Sequence, residues 1–253
     1  MNLMTPYIRL LKYPASTLLV SIVMLSGCAS LPAGPDPDGD RRALQRALAG
    51  QDCAAAQEAV DGLARHDSPG DGVARARLET AFLCLVSDMP DSAYEQSRRF
   101  IQAFPAHPDL DYGFYLRAMA RYGSWKALHA EGEMPPEPRQ DIALARESFI
   151  LFRELVQRFP DSRYRDEVAA YLMALREGMA AAEIRQARSQ LAQGNPRQAL
   201  ARAEYVREHF GGTQALAGAL AVMVEAHEAL GQSDAAGRAR RQLEIRFPDS
   251  LTP

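Results

Sequence analysis

The sequence predicts an all-α fold in which helix pairs stack side by side as an α-solenoid. Three observations carry that prediction. From about residue 40 onward Ala, Leu, Arg, Glu and Gln dominate, all strong helix formers, and no alternating β-branched stretch occurs. Apolar residues recur at helical spacing, as in Ala145, Phe149, Phe152, Leu155, Val156 and Phe159. A common ending then returns along the chain: Gln102-Ala-Phe104-Pro105, Gln157-Arg-Phe159-Pro160, Glu208-His-Phe210-Gly211 and Ile245-Arg-Phe247-Pro248, with a weaker one at Arg65-His66-Asp67.

Composition bounds what such a chain does. Its 253 residues are 47% hydrophobic and 24% charged, so it folds and has ample length for a core. With 17 Gly and 3 Cys it is neither collagen-like nor a disulfide-dense scaffold. A formal net charge of -3 gives no basic field for nucleic acid.

The elements follow in chain order. Residues 1–28 hold Arg9 and Lys12 and no acidic residue; an apolar stretch, Thr17 to Leu25, leads to Ser26-Gly27-Cys28. A positive start, a short apolar run and small residues at the cut describe a secretory signal over residues 1–27. The run is shorter than the roughly 20 residues that span a bilayer. Leu25-Ser26-Gly27-Cys28 resembles the bacterial lipobox, in which the cysteine becomes the acylated first residue. Cys28 is therefore the expected lipid attachment, and several acyl chains anchor firmly where one binds reversibly. Ala29 in place of Asp resembles an outer-membrane address. Residues 28–39, rich in Pro and Gly, read as a flexible tether.

Five pairs are expected within residues 40–250: about 40–67, 71–105, 109–160, 163–211 and 213–248. Eleven residues before each ending stands a small residue, Ala55, Ala93, Ser148, Ala199 or Ala236. Four before it stands a large apolar one, Phe100, Leu155, Val206 or Leu243, the exception being Gly62. The small residue admits a neighbouring helix, the apolar one fills the space toward the next pair, and proline stops the helix. This punctuation looks like tetratricopeptide (TPR) repeats. The intervals of 38, 55, 51 and 37 residues place two excesses. The first is an inserted loop over 123–138, marked by Gly123, Pro135, Pro136 and Pro138; the second is one long helix within 163–194, with Gly178 as its candidate bend. Ser92-x-x-Glu95 reads as a capping box, and Asn195-Pro196 as an N-cap followed by proline at the first helical position.

Residues able to do chemistry are scattered. His66, His107, His129, His209 and His227 form no i, i+4 pair, and no phosphate loop or nucleophile elbow is present. Glu131 and Glu133 fall in the loop as a solvated segment. No enzyme activity, metal or cofactor is expected. Cys53 opens the second helix of the first pair and Cys84 closes the first helix of the second. Antiparallel about the turn at Ser68-Pro69-Gly70, those helices bring the two ends together; a disulfide and two buried thiols both fit.

The run Phe104-Pro-Ala-His107-Pro108-Asp-Leu-Asp111-Tyr112-Gly-Phe-Tyr115-Leu-Arg117-Ala118 is similar to one characteristic of the BamD family. Similarity extends over Ala145 to Tyr164 and Asn195 to Phe210. These proteins are TPR lipoproteins of the machinery that folds β-barrels into the outer membrane. The resemblance implies a non-enzymatic scaffold, lipid-anchored to the outer membrane and facing the periplasm. It implies binding to a BamA-like barrel subunit through the C-terminal repeats, contact with other assembly lipoproteins, and reception of unfolded outer-membrane proteins by the N-terminal repeats. Tyr112, Phe114 and Tyr115 are candidate client contacts, with at least one serving the core, and Arg202 is the candidate partner-facing charge. The chain departs from the family at Ala118, where the family has Gly, over Trp125 to Arg139, and over Ile184 to Gln193, which lacks Tyr. A TPR lipoprotein adaptor for periplasmic cell-wall or division enzymes is the alternative.

Overall fold

The computed structural model describes residues 36–66, 70–129 and 138–248. The expected signal peptide, Cys28, most of the tether and residues 130–137 of the inserted loop lie outside the described residues. Ten helices follow one another: α1 (Pro37–Ala49), α2 (Cys53–His66), α3 (Asp71–Val86), α4 (Pro90–Ala103), α5 (Leu110–Ala127), α6 (Pro138–Arg158), α7 (Arg165–Ala192), α8 (Pro196–His209), α9 (Ala215–Ala229) and α10 (Ser233–Arg246). They form an all-α, TPR-like stack in which every helix packs on the next, and no strand occurs among the described residues. The first helices of successive pairs also touch, α1 with α3, α3 with α5 and α7 with α9. Among the described residues second helices make no comparable contact.

The repeated ending has a simple mechanical basis. The N–H of each terminal Phe donates to the carbonyl of the large apolar residue four positions earlier: Phe104 to Phe100 at 2.9 Å, and Phe159 to Leu155, Phe210 to Val206 and Phe247 to Leu243 at 2.8 Å. Phe100, Leu155 and Val206 are fully buried, as are the small residues Ala93, Ser148 and Ala199. One position thus closes the helix and fills the gap to the next pair. In the first pair this pattern runs one residue later than the sequence suggested. Ala56 and Leu63 are buried there, while Ala55 is half-exposed. No Phe-Pro ending fixes the register in that pair.

Other expectations shift in ways the chain explains. The tether gives way to α1 at Pro37, capped by Asp36, whose Oδ1 accepts from the Gly39 N–H at 2.8 Å. Gly123 is not in a loop: α5 runs through it to Ala127, because Gly in a helix costs only about 1 kcal/mol and the packed face continues to Trp125. Ser92 does not cap α4. Proline takes the first helical position at Pro90, and Ser92, two residues inside, instead accepts from Gln57 Nε2 at 3.2 Å. Asn195 is the N-cap residue of α8, but its amide donates to Gln190 Oε1 at 3.2 Å and caps nothing. The long helix is α7, 28 residues continuous through Gly178. A Cβ at Gly178 would lie 2.4 Å from Trp125 Cζ2, so this glycine admits the indole.

Cys53 and Cys84 are joined by a disulfide, with 4.9 Å between their Cα atoms. About two turns further along α2, Asp61 receives Arg77 of α3 at 3.1 Å and Arg99 of α4 at 2.7 Å. Glu95 holds Arg99 in place from one helical turn away, at 2.8 Å. The hydrogen bond from Arg98, with help from Arg99 and against partial desolvation, lowers the Glu95 carboxyl from 4.5 to about 2. A depressed carboxyl stabilises the fold fully above its unfolded value, and that contribution disappears as the pH falls toward 2. Because Glu95 is about one-third exposed, solvent screening reduces the effect to about 1 kcal/mol. Glu95→Gln should therefore lose about 1 kcal/mol in urea unfolding at pH 7. The two proteins should converge as the pH is lowered through 4 toward 2; a constant difference would refute the linkage.

Candidate functional site

The His-Pro…Asp-Tyr run builds a clasp before it builds a surface. His107 Nδ1 accepts the Asp109 N–H at 3.1 Å, so its Nε2 carries the proton and donates to Asp71 Oδ1 at 3.2 Å. Its ring lies edge-on to Phe100 at 5.3 Å. The turn before α5 is thereby tied to the start of α3. Asp111 makes the next tie: Oδ1 accepts the Tyr112 N–H at 2.8 Å, and Oδ2 accepts Ser162 Oγ at 2.7 Å. Ser162 lies in the α6–α7 turn, which carries Tyr164.

That junction aligns aromatic rings from α5 and α7. Tyr164 stacks on Tyr115 at 4.3 Å and on Tyr112 at 5.6 Å. The Tyr115 hydroxyl donates to Glu167 Oε1 at 3.0 Å, and Tyr171 donates to the same oxygen at 2.6 Å. Tyr171 in turn packs on Tyr122 at 4.8 Å and on Phe152 at 5.2 Å. Burial pushes the phenols of Tyr112, Tyr115, Tyr122, Tyr164 and Tyr171 up, and the hydrogen bond to Glu167 raises Tyr115 and Tyr171 further. All five are neutral donors in the neutral range. The result is a half-buried aromatic strip with polar tips between two first helices. Such a strip suits stacking on extended apolar chain and hydrogen bonding to its backbone.

The sequence-predicted residues separate here. Tyr112 and Tyr115 are in the strip. Phe114 is not: it is 1% exposed, packs on Phe159 at 5.2 Å and has Arg117 at 4.6 Å over its ring. Two residues beyond Tyr112 on a helix, it turns inward, so it cannot meet a client. Sequence reasoning missed Glu167 and Tyr171. Tyr164 lay within the similar segment without being singled out; Asp111 and Ser162, both polar beside aromatics, were the available signal.

Arg202 projects from α8 and pairs with Glu183 of α7 at 2.7 Å. Glu183 is 10% exposed and Arg202 35%, so the arginine is a fixed, half-exposed charge in a recess it shares with Gln198, Ala201 and Tyr205. It is neither freely solvated nor buried. Among the described residues no group of three or more His, Cys, Asp or Glu is placed to hold a metal ion, and no helix is long and apolar enough to cross a membrane.

Comparison with known proteins places this architecture. The family model YfiO, described as outer membrane lipoprotein, matches residues 42–243, from α1 into α10. The outer membrane protein assembly factor BamD of Neisseria meningitidis serogroup A is 30% identical over 176 residues. That alignment covers 70% of this chain and 66% of the relative, so the chain spans just under two thirds of its length. The BamD of Vibrio cholerae is 22% identical over 238 residues, covering 93% of this chain and 99% of that protein. With a matching stretch that takes in all five helix pairs, the chain belongs to the YfiO family of outer membrane lipoproteins.

Proposed function

We propose that the chain is a non-enzymatic scaffold of β-barrel assembly, held at the outer membrane by lipid on Cys28 and facing the periplasm. The observation that carries this is that the family match runs through all five pairs, with relatives named outer membrane protein assembly factors. In this proposal the signal peptide over 1–27 is removed and the tether lets the repeats stand off the membrane. Arg202, held rigid by Glu183, meets a carboxylate of the barrel subunit. The strip at Tyr112 and Tyr115 receives unfolded outer-membrane protein, by ring stacking and by a hydrogen bond from the Tyr112 hydroxyl, since that of Tyr115 is given to Glu167.

The test is an affinity pull-down of the tagged, membrane-anchored protein in mild detergent, with mass spectrometry of what co-purifies. A stoichiometric barrel protein with periplasmic domains is expected. Arg202→Lys, which keeps a counter-charge for Glu183 but loses the guanidinium fork, should lower its recovery about tenfold with little change in thermal midpoint. Recovery of cell-wall or division enzymes without a barrel subunit would overturn the proposal in favour of the adaptor alternative.

A further inference from the structure

A second surface is formed by α6, α7 and α8, and none of the strip tyrosines lines it. Helices α6, α7 and α8 enclose a recess of about 400 Å³. On α6 it is lined by Ile142, Arg146, Phe149, Ile150 and Arg153, all on one helical stripe. Met179 and Phe210 form its floor and Arg176 its end. Ile150 is 55% exposed and Tyr205, on the α8 wall, 37%, so an apolar edge faces solvent.

The charge on this recess is unbalanced by construction. The carboxylates of α6 are drawn to its other face, Glu147 by Arg121 at 2.9 Å and Glu154 by Arg117 at 2.6 Å. Glu177 of α7 is occupied at the start of α9, accepting the Gln214 and Ala215 N–H groups at 3.1 Å. Glu183, the one carboxylate lining the recess, is neutralised by Arg202. Among the described residues Arg146 and Arg153 have no acidic partner, and Arg176 meets only the His209 carbonyl, at 3.0 Å, and the Phe210 ring. Three cations around an apolar floor, in a chain of net charge -3, specify the chemistry of what fits.

We infer that this groove docks an acidic amphipathic segment of a partner protein, laid along α6 as a helix. Arg146 and Arg153 are seven residues apart, about 10.5 Å along the axis, so carboxylates two turns apart on the incoming helix meet both. Apolar side chains between them enter over Phe149 and Met179, and Ile150 closes against the edge. This is helix-in-groove recognition with charge setting the register. The groove chemistry stands whether or not the chain acts in β-barrel assembly.

The test uses the full chain in phosphatidylcholine nanodiscs and a short fluorescein-labelled helical peptide. The peptide carries glutamates at i and i+7 with leucines at i+3 and i+4 between them, and binding is read by anisotropy. Saturable, salt-sensitive binding is expected. Arg146→Ala with Arg153→Ala should weaken it about tenfold, and Ile150→Ser about threefold. These side chains are exposed, so the variants should keep the circular dichroism and thermal midpoint of the parent. Unchanged binding by the double variant would overturn the inference. So would equal binding of a peptide with serine for leucine, or displacement of the peptide by phosphatidylglycerol vesicles, which would make the groove a lipid site.

Discussion

Replacing Cys53 and Cys84 together by alanine should lower the unfolding free energy of the repeat domain by about 3–4 kcal/mol. The two cysteines lie 31 residues apart, and cross-linking a loop of that length removes that much freedom from the unfolded chain. The bond also sits where packing is thinnest. Among the described residues α2 and α3 share less contact than any other successive helices. Asp61 with its two arginines, the hydrogen bond from Gln57 to Ser92 and a shared apolar core that includes Val60, Leu63, Val73 and Ala76 supply the remaining tie between the first pair and the second. Urea unfolding is the measurement. The parent protein under dithiothreitol should fall to the stability of the double variant, and the variant should not respond to the reductant. A parent protein indifferent to dithiothreitol would refute the expected contribution.

The second large effect is centred on Asp141. Its side chain is 1% exposed; it accepts Trp125 Nε1 at 2.6 Å and pairs with Arg185 of α7. It lies in the first turn of α6, where the helix dipole favours a negative charge. Asp141→Ala would leave a largely buried guanidinium without its counter-charge, in a site where Arg185 Nε already lacks a partner. The expected loss is about 3–5 kcal/mol. Trp125 is the only tryptophan, so its fluorescence reports on this site alone. It should shift to the red as the indole loses its acceptor and its packing on Gly178 loosens. Asp141→Asn, which keeps an acceptor for the indole but not the charge, should lose less. Asp141→Leu with Arg185→Leu should recover part of the loss, because removing both charges is cheaper than stranding one. Equal losses in all three would mean that packing, and not the ion pair, holds the site.

The repeat was legible because its signals are local. A Phe closing a helix onto the carbonyl four residues back needs only that helix, and the small residue eleven positions earlier needs only one neighbour. Errors arose where a local signal met a tertiary one. Gly123 looked like loop and is helix, because Trp125, two residues on, has a buried place to go. Ser92 looked like a cap, but Pro90 had already taken the first position. The aromatic strip was half legible. Tyr112 and Tyr115 stood out in one segment, but their partners Tyr164, Glu167 and Tyr171 lie some fifty residues on. The arginine groove was not legible at all, since it depends on which way the α6 glutamates turn.

One consequence follows from the spacing of α5 and α7. Large rings stand between these first helices, and their backbones stay further apart than those of α3 and α5 or α7 and α9. On the other side α6 and α7 pack extensively. Viewed as an elastic rod, the molecule is thus hinged along one edge and open along the other at its third junction. On that open edge the third junction is held by rings and by the hydrogen bonds to Ser162 and Glu167, so a guest lying there would act as a wedge, setting the angle between the first three pairs and the last two.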